Sequence, residues 1–148
     1  MTRINSAIPV EALTDEHLLA EHREIKRLPY CLLKAIKSGS IKKIPKNFIL
    51  GKGHVLFFLD KMLFTQYRYR KIHRECERRG FNVIYYDANW GEVPLKYFGE
   101  YSPTEEEKKL LIERISQRIM ESPKNKWHYY GREVSKQEAI GILKNKKA

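Results

Sequence analysis

Leu18, Ile25, Leu28, Leu32 and Ile36 recur at steps of three, four and seven residues. That spacing marks one buried stripe on a helix, which the N-cap character of Thr14 and Asp15 starts and Ser38-Gly39-Ser40 stops. A second periodic stretch runs from about His54 to Arg79, with Val55, Phe58, Leu59, Met62 and Ile72 on its apolar face and Gly80 as its end. Residues 81 to 101 lose the period. Phe81 and Val83 to Tyr86 suit a short extended piece, and Gly91, Pro94 and Gly99 break anything longer. The third helix is introduced by Ser102-Pro103-Thr104-Glu105, a capping box with three glutamates near the positive helix end. It buries Leu110, Leu111, Ile115 and Ile119 and stops before Pro123. From Ser135 the pattern weakens to Ala139, Ile140 and Leu143, the profile of a frayed or partly ordered tail.

The polar positions carry the chemistry. At about 100° per residue, Arg23, Arg27 and Lys34 share the side of the first helix opposite its apolar stripe, with Glu24 and His17 on the flank. Spacing alone makes this a solvated face with an Arg–Glu pair. Lys34, Lys37, Lys42, Lys43 and Lys46 follow with no acid among them, a run suited to a solvated loop or to phosphate contact. Gly51-Lys52-Gly53-His54 lacks the terminal Lys-Ser/Thr of a phosphate-binding loop and reads as a packing turn. Tyr67-Arg68-Tyr69-Arg70-Lys71 interleaves rings and cations, as a nucleic-acid contact or a core-covering helix would. Arg114 and Arg118 share a face of the third helix. Trp127-His128-Tyr129-Tyr130-Gly131-Arg132 places four rings in a row before a glycine and a cation, a pattern of cores and base-stacking platforms.

Composition narrows the partner. A chain of 148 residues with 42% hydrophobic positions is globular and one domain in size, and its net charge of +11 favours an anionic partner, nucleic acid first. Cys31 and Cys76 match no metal spacing and no disulfide framework, so both are expected as buried, reduced thiols. No signal peptide and no run of about 20 apolar residues is visible, which points to a soluble intracellular, DNA-associated protein without membrane contact. No nucleophilic triad or metal cluster can be picked out, and no cofactor is called for.

What remains is the chain's own amine. Removal of Met1 before the small Thr2 would leave a free α-amine, whose pKa of about 7.7–8.0 lies well below the roughly 10.4 of lysine. The neighbouring charges of Arg3, Arg23 and Arg27 would lower it further. Such an amine can attack an electrophilic sugar carbon and form a Schiff base, and a carboxylate such as Glu24 can stabilise the developing charge and move protons.

Thr2-Arg3-Ile4-Asn5, then His17-Leu18-Leu19-Ala20-Glu21-His22-Arg23-Glu24 with Arg27 three residues on, resembles the start of the pyrimidine-dimer DNA glycosylase/AP lyase family, the phage-type UV-repair endonuclease V. Further blocks are similar: Phe48 to Val55, Phe57 to Lys61, Arg79 to Asn82 and Trp127 to Gly131. The resemblance implies an all-α fold: a compact single domain of three main helices with long irregular connections and an aromatic C-terminal segment. Residues 1–134 would form the glycosylase domain and 135–148 a basic tail. It implies a monomer acting on double-stranded DNA that contains pyrimidine dimers or abasic sites. Thr2, Glu24, Arg23, Arg27 and His17 take the catalytic positions. Arg3, Lys34, Arg114, Arg118, Trp127, Tyr129, Tyr130 and Arg132 take the DNA-binding ones. His22 stands where the family usually carries Tyr, and Pro29 lies past the second arginine rather than before it. The alternative is a non-catalytic basic module that holds damaged or bent DNA.

Overall fold

The computed structural model describes residues 4–145. Its architecture is all-α, with seven helices and one small hairpin among the described residues. The first periodic stretch is two helices, α1 (Asp15–Ile25) and α2 (Arg27–Ser38), separated at Lys26. Pro29 explains the break. It has no N–H to donate, and its ring would clash with the carbonyl four residues back, at Ile25, where α1 ends. In the first turn of a new helix the missing donor costs nothing. Thr14 caps α1, its hydroxyl accepting the His17 N–H at 3.1 Å.

The second stretch is also divided, into α3 (His54–Phe57), a 3-10 turn at Phe58–Asp60 and α4 (Met62–Arg78). The interruption frees the Asp60 carbonyl to accept the Gly99 N–H at 3.0 Å, while Lys61 pairs with Phe98. A Cβ at residue 99 would meet the Asp60 oxygen at 2.4 Å, so only glycine fits. The 81–101 region contains no strand; it holds the short α5 (Ala88–Gly91) and a 3-10 turn at Leu95–Tyr97. Its main contribution is Trp90, fully buried, stacked on Tyr69 and donating its indole N–H to Thr65 at 3.1 Å.

The third helix, α6 (Glu105–Glu121), has the expected capping box between Thr104 and Glu107. Leu111, Ile115 and Ile119 are buried, whereas Leu110 is half exposed on the far side. The aromatic block is a hairpin, β1 (Trp127–Tyr129) against β2 (Arg132–Val134), with Trp127 paired to Val134. Its turn residues Tyr130 and Gly131 both have positive φ, the geometry that matches the twist of a two-residue hairpin. Instead of a frayed tail, α7 (Lys136–Asn145) buries Ala139 and Leu143 and packs on α6, β1 and the 3-10 turn at Val10–Ala12. Cys76 is buried as expected, but Cys31 is exposed because it falls on the solvent side of α2; both are free thiols.

The core of this assembly is the seam between α1 and α4. Leu18 and Ile25 of α1 and Tyr69, Ile72 and Cys76 of α4 belong to one continuous apolar cluster. Polar pairs cross the same seam: Glu21 with Arg68 at 2.5 Å, His22 with His73 at 3.1 Å and Asp15 with Arg79 at 2.9 Å. Buried charges of this kind are tolerated only when fully partnered. Arg79 illustrates the rule. It also reaches Glu75 at 2.8 Å and the carbonyls of Leu13, Val10 and Glu11, and its guanidinium lies 4.8 and 4.7 Å from the rings of Tyr129 and Tyr130.

Candidate active site

The segment entering from the N-terminus is moored at its first described residues. The Ile4 N–H donates to His54 Nε2 at 3.0 Å, and the Asn5 side-chain amide donates to Glu21 Oε1 at 3.0 Å. Glu21 is held from the other side by Arg68, whose Nη1 also reaches the Ile8 carbonyl at 2.9 Å. The chain therefore crosses α1 beside Glu21, one helical turn before Glu24. Thr2 and Arg3 lie outside the described residues.

Glu24 sits at the end of α1, half-buried, and accepts from Arg27 Nη1 at 2.8 Å across the α1–α2 break. Arg23 and Lys34 are exposed nearby in sequence and have no ion-pair partner among the described residues. A carboxylate that is partly desolvated and bordered by exposed cations can stabilise positive charge on a substrate, and exposed arginines can hold phosphates.

His17 lies two turns before Glu24, about 10 Å along the helix. Thr14 Oγ1 is 2.8 Å from its Nδ1, and its ring stacks on Trp127, centroids 5.2 Å apart and planes within 4°. Burial lowers its pKa to about 4; Glu16 opposes that shift, and Arg118 and Lys124 add to it. His17 is thus neutral near pH 7, and the charge of Arg118 reaches it. The structure brings His17, Trp127 and Arg118 together at one end of α1, and Glu24, Arg27 and Arg23 at the other.

The hairpin is tied to the first turn of α1 by two carboxylates. Asp15 accepts the backbone N–H groups of Tyr130 and Gly131 at 3.0 and 2.8 Å, supporting the left-handed turn. Glu16 accepts from the His128 N–H at 3.0 Å and from Lys124 Nζ at 3.0 Å, with His128 Nδ1 at 2.7 Å. Burial would raise the Glu16 pKa, but these hydrogen bonds outweigh it and hold the carboxyl low. The aromatic rings are engaged within the fold. Trp127 is buried, Tyr129 donates its hydroxyl to the Glu11 carbonyl at 2.7 Å, and Tyr130 donates to Glu75 at 2.5 Å. Of the remaining cations, Arg114 is half-buried, while Arg132 is paired with Glu138 at 3.3 Å.

Periodicity gives no sign of the partners of Glu16, Glu21, His54, Arg68 or Arg79, and marks Asp15 only as part of a helix start. Arg68 lies on the buried side of α4 with Ile72, and Arg79 is the buried residue that caps its C-terminal end, so their place in that periodic stretch was the one available signal. No grouping of three His, Cys, Asp or Glu side chains able to hold a metal occurs among the described residues. No helix there is long and apolar enough to cross a membrane.

A family model described as pyrimidine dimer DNA glycosylase matches residues 1–87. The matched span carries the N-terminal segment, α1 to α4 and the whole Glu24 cluster; α6, the hairpin and α7 lie beyond it. The chain belongs to the pyrimidine dimer DNA glycosylase family.

Proposed function

We propose that this protein excises UV-induced cyclobutane pyrimidine dimers from double-stranded DNA and then cuts the strand as an AP lyase. The α-amine of Thr2 attacks C1′ of the dimer's 5′ nucleotide. The C1′–N1 bond breaks, and its electrons leave with the pyrimidine, which takes up a proton. The amine nitrogen gives up one of its two protons, and its lone pair then breaks the C1′–O4′ bond, whose oxygen is protonated, leaving a protonated iminium on the opened sugar. Removal of a C2′ proton then expels the 3′ phosphate by β-elimination, and water releases the enzyme. Glu24 stabilises the cationic sugar and carries the protons, with Arg27 holding its carboxylate in place.

The observation that carries this reading is the mooring of Ile4 and Asn5 against His54 and Glu21, one turn from Glu24 within the family-matched span. Two peptide units span at most about 7.6 Å, so a fixed Ile4 keeps the amine of residue 2 within a short radius of that anchor. The exposed arginines fit phosphate contact, and the lesion, being already distorted, costs less to unstack than a normal pair.

Borohydride trapping on dimer-containing duplex, run beside N-terminal mass analysis, tests this. A covalent adduct is expected from chain that begins at Thr2, and none from chain that keeps Met1, from amine-blocked protein or from Glu24→Gln. Tight DNA binding by correctly processed protein without any adduct would make it a binding module. Adducts on abasic DNA without cleavage of dimer DNA would limit it to the lyase step.

A further inference from the structure

His54 is fully buried, 50 residues from the segment it touches. Its two ring nitrogens have opposite tasks. The Ile4 N–H can only donate, so Nε2 must present a lone pair to it at 3.0 Å. The Ile49 carbonyl can only accept, so Nδ1, 2.8 Å away, must carry the hydrogen. Both bonds hold together only in the neutral Nδ1–H tautomer. The turn at Gly51 and Gly53, with φ of 73° and 96°, brings the Ile49 carbonyl back onto this ring. A Cβ at residue 53 would stand 2.6 Å from Ile49 Cδ1. Phe48 and Phe58 pack edge-to-face against the imidazole at 5.6 and 5.2 Å and fix its plane.

From this geometry we infer that His54 is a positioning residue for the reactive N-terminus, holding the backbone at Ile4 so that the amine of residue 2 reaches C1′ in attacking geometry. The inference rests on the proposed role of that amine. Among the described residues, His54 holds this segment through the Ile4 backbone hydrogen bond. Without that bond the segment keeps its Asn5–Glu21 contact but loses the backbone anchor at Ile4. A packing histidine would serve the core equally well with an apolar replacement of similar size. A positioning one needs an acceptor at the Nε2 place, which the amide oxygen of Gln can supply and Leu cannot.

The experiment compares His54→Leu and His54→Gln in single-turnover borohydride trapping on duplex with one abasic site, with DNA affinity read separately by anisotropy. His54→Leu should trap about 10- to 100-fold more slowly at an affinity within about threefold of the native chain, and His54→Gln should recover most of that loss, since about 1 Å of misplacement costs that much. The native protein should also show a ¹⁵N–¹⁵N coupling across the Ile4–His54 hydrogen bond, a measurement that needs no variant to fold. Equal losses in the two variants, an unchanged rate in His54→Leu, or no coupling overturns the inference. An adduct from the native chain that is indifferent to His54 removes this inference alone. No adduct from correctly processed native chain removes the amine reading and this inference with it.

Discussion

His17 and Trp127 face each other as parallel rings 5.2 Å apart, joining the start of α1 to the first strand of the hairpin. One residue is a candidate for the chemistry and the other for the lesion contact, and the stack makes each the other's support. Trp127 is buried, so Trp127→Ala should lower stability by about 3 kcal/mol through lost burial and the cavity left behind. Trp127→Phe, which keeps an aromatic face for His17, should cost markedly less. Urea midpoints for the two variants check the difference.

Burial keeps both His17 and His22 neutral down to about pH 4, against an ordinary value of 6.5. The unfolded chain takes up a proton on each near pH 6.5, while the folded chain does so only near pH 4. Between those values the unfolded state binds more protons, so stability falls as pH drops from about 6.5 to about 4. Lys26, His73 and Arg23 reinforce the His22 shift after burial. The held-down Glu16 carboxyl adds its own loss only at the acid end, below its ordinary 4.5. Thermal melts across this range should show the decline, and His22→Phe should reduce its slope by up to one proton.

Arg79 brings the hairpin, α1 and α4 to one point, and removing it leaves Asp15 and Glu75 buried without their main counter-ion. Arg79→Met should destabilise by about 3–5 kcal/mol. Arg79→Lys should rescue little, because one ammonium cannot reproduce a planar fork that also lies between two tyrosine rings. Denaturant unfolding of the two variants decides this; full stability in Arg79→Lys would contradict it.

The same residue shows where reading the chain runs out. Helical period located the apolar stripe of α1 and α2, the capping box of α6 and, in α4, the buried Met62 and Ile72, because those depend on neighbours along the sequence. It missed the break at Lys26, although Pro29 signals it, because the apolar stripe continues across the break. It missed the hairpin, whose strands have three residues each and whose turn has a tyrosine at positive φ, supported from Asp15 far away in sequence. Of the candidate site, Glu24 and its arginines were visible as close neighbours along the sequence. Glu21, Arg68 and His54 were not, because their roles come from partners 16, 47 and 50 residues away.

Glu24 and Arg27 should separate stability from activity. Their ion pair is largely solvent-exposed on the Arg27 side, and such pairs are worth less than about 1 kcal/mol. Arg27→Ala and Glu24→Gln should therefore unfold close to the native midpoint. On dimer DNA, Glu24→Gln should bind and fail to cleave. Arg27→Ala should cleave slowly and bind more weakly, since it loses the carboxylate's partner and, in the proposed mechanism, a phosphate contact. Strongly lowered midpoints in either variant would mean the pair is structural.

The lysines of α2 and the loop after it supply the last prediction. Lys34, Lys37, Lys42, Lys43 and Lys46 are all exposed, and none has a carboxylate partner among the described residues. Lys34 and Lys37 continue, along α2, the exposed side that begins at Arg27, so they lie on the helix that extends from the Glu24 cluster. A cation that folding leaves unpaired stabilises nothing internally but releases a counter-ion when it meets a phosphate. Each such contact adds about 0.9 to the slope of log affinity against log salt on duplex DNA. Replacing Lys34, Lys37 and Lys43 together by Gln should flatten that slope by up to about 2.7 if all three touch the backbone. The rate of trapping at saturating protein should stay unchanged, because in the proposed mechanism these residues would hold the duplex backbone and not meet the sugar. An unaltered slope would confine the DNA footprint to the arginines around Glu24 and make the lysine run a solvated loop.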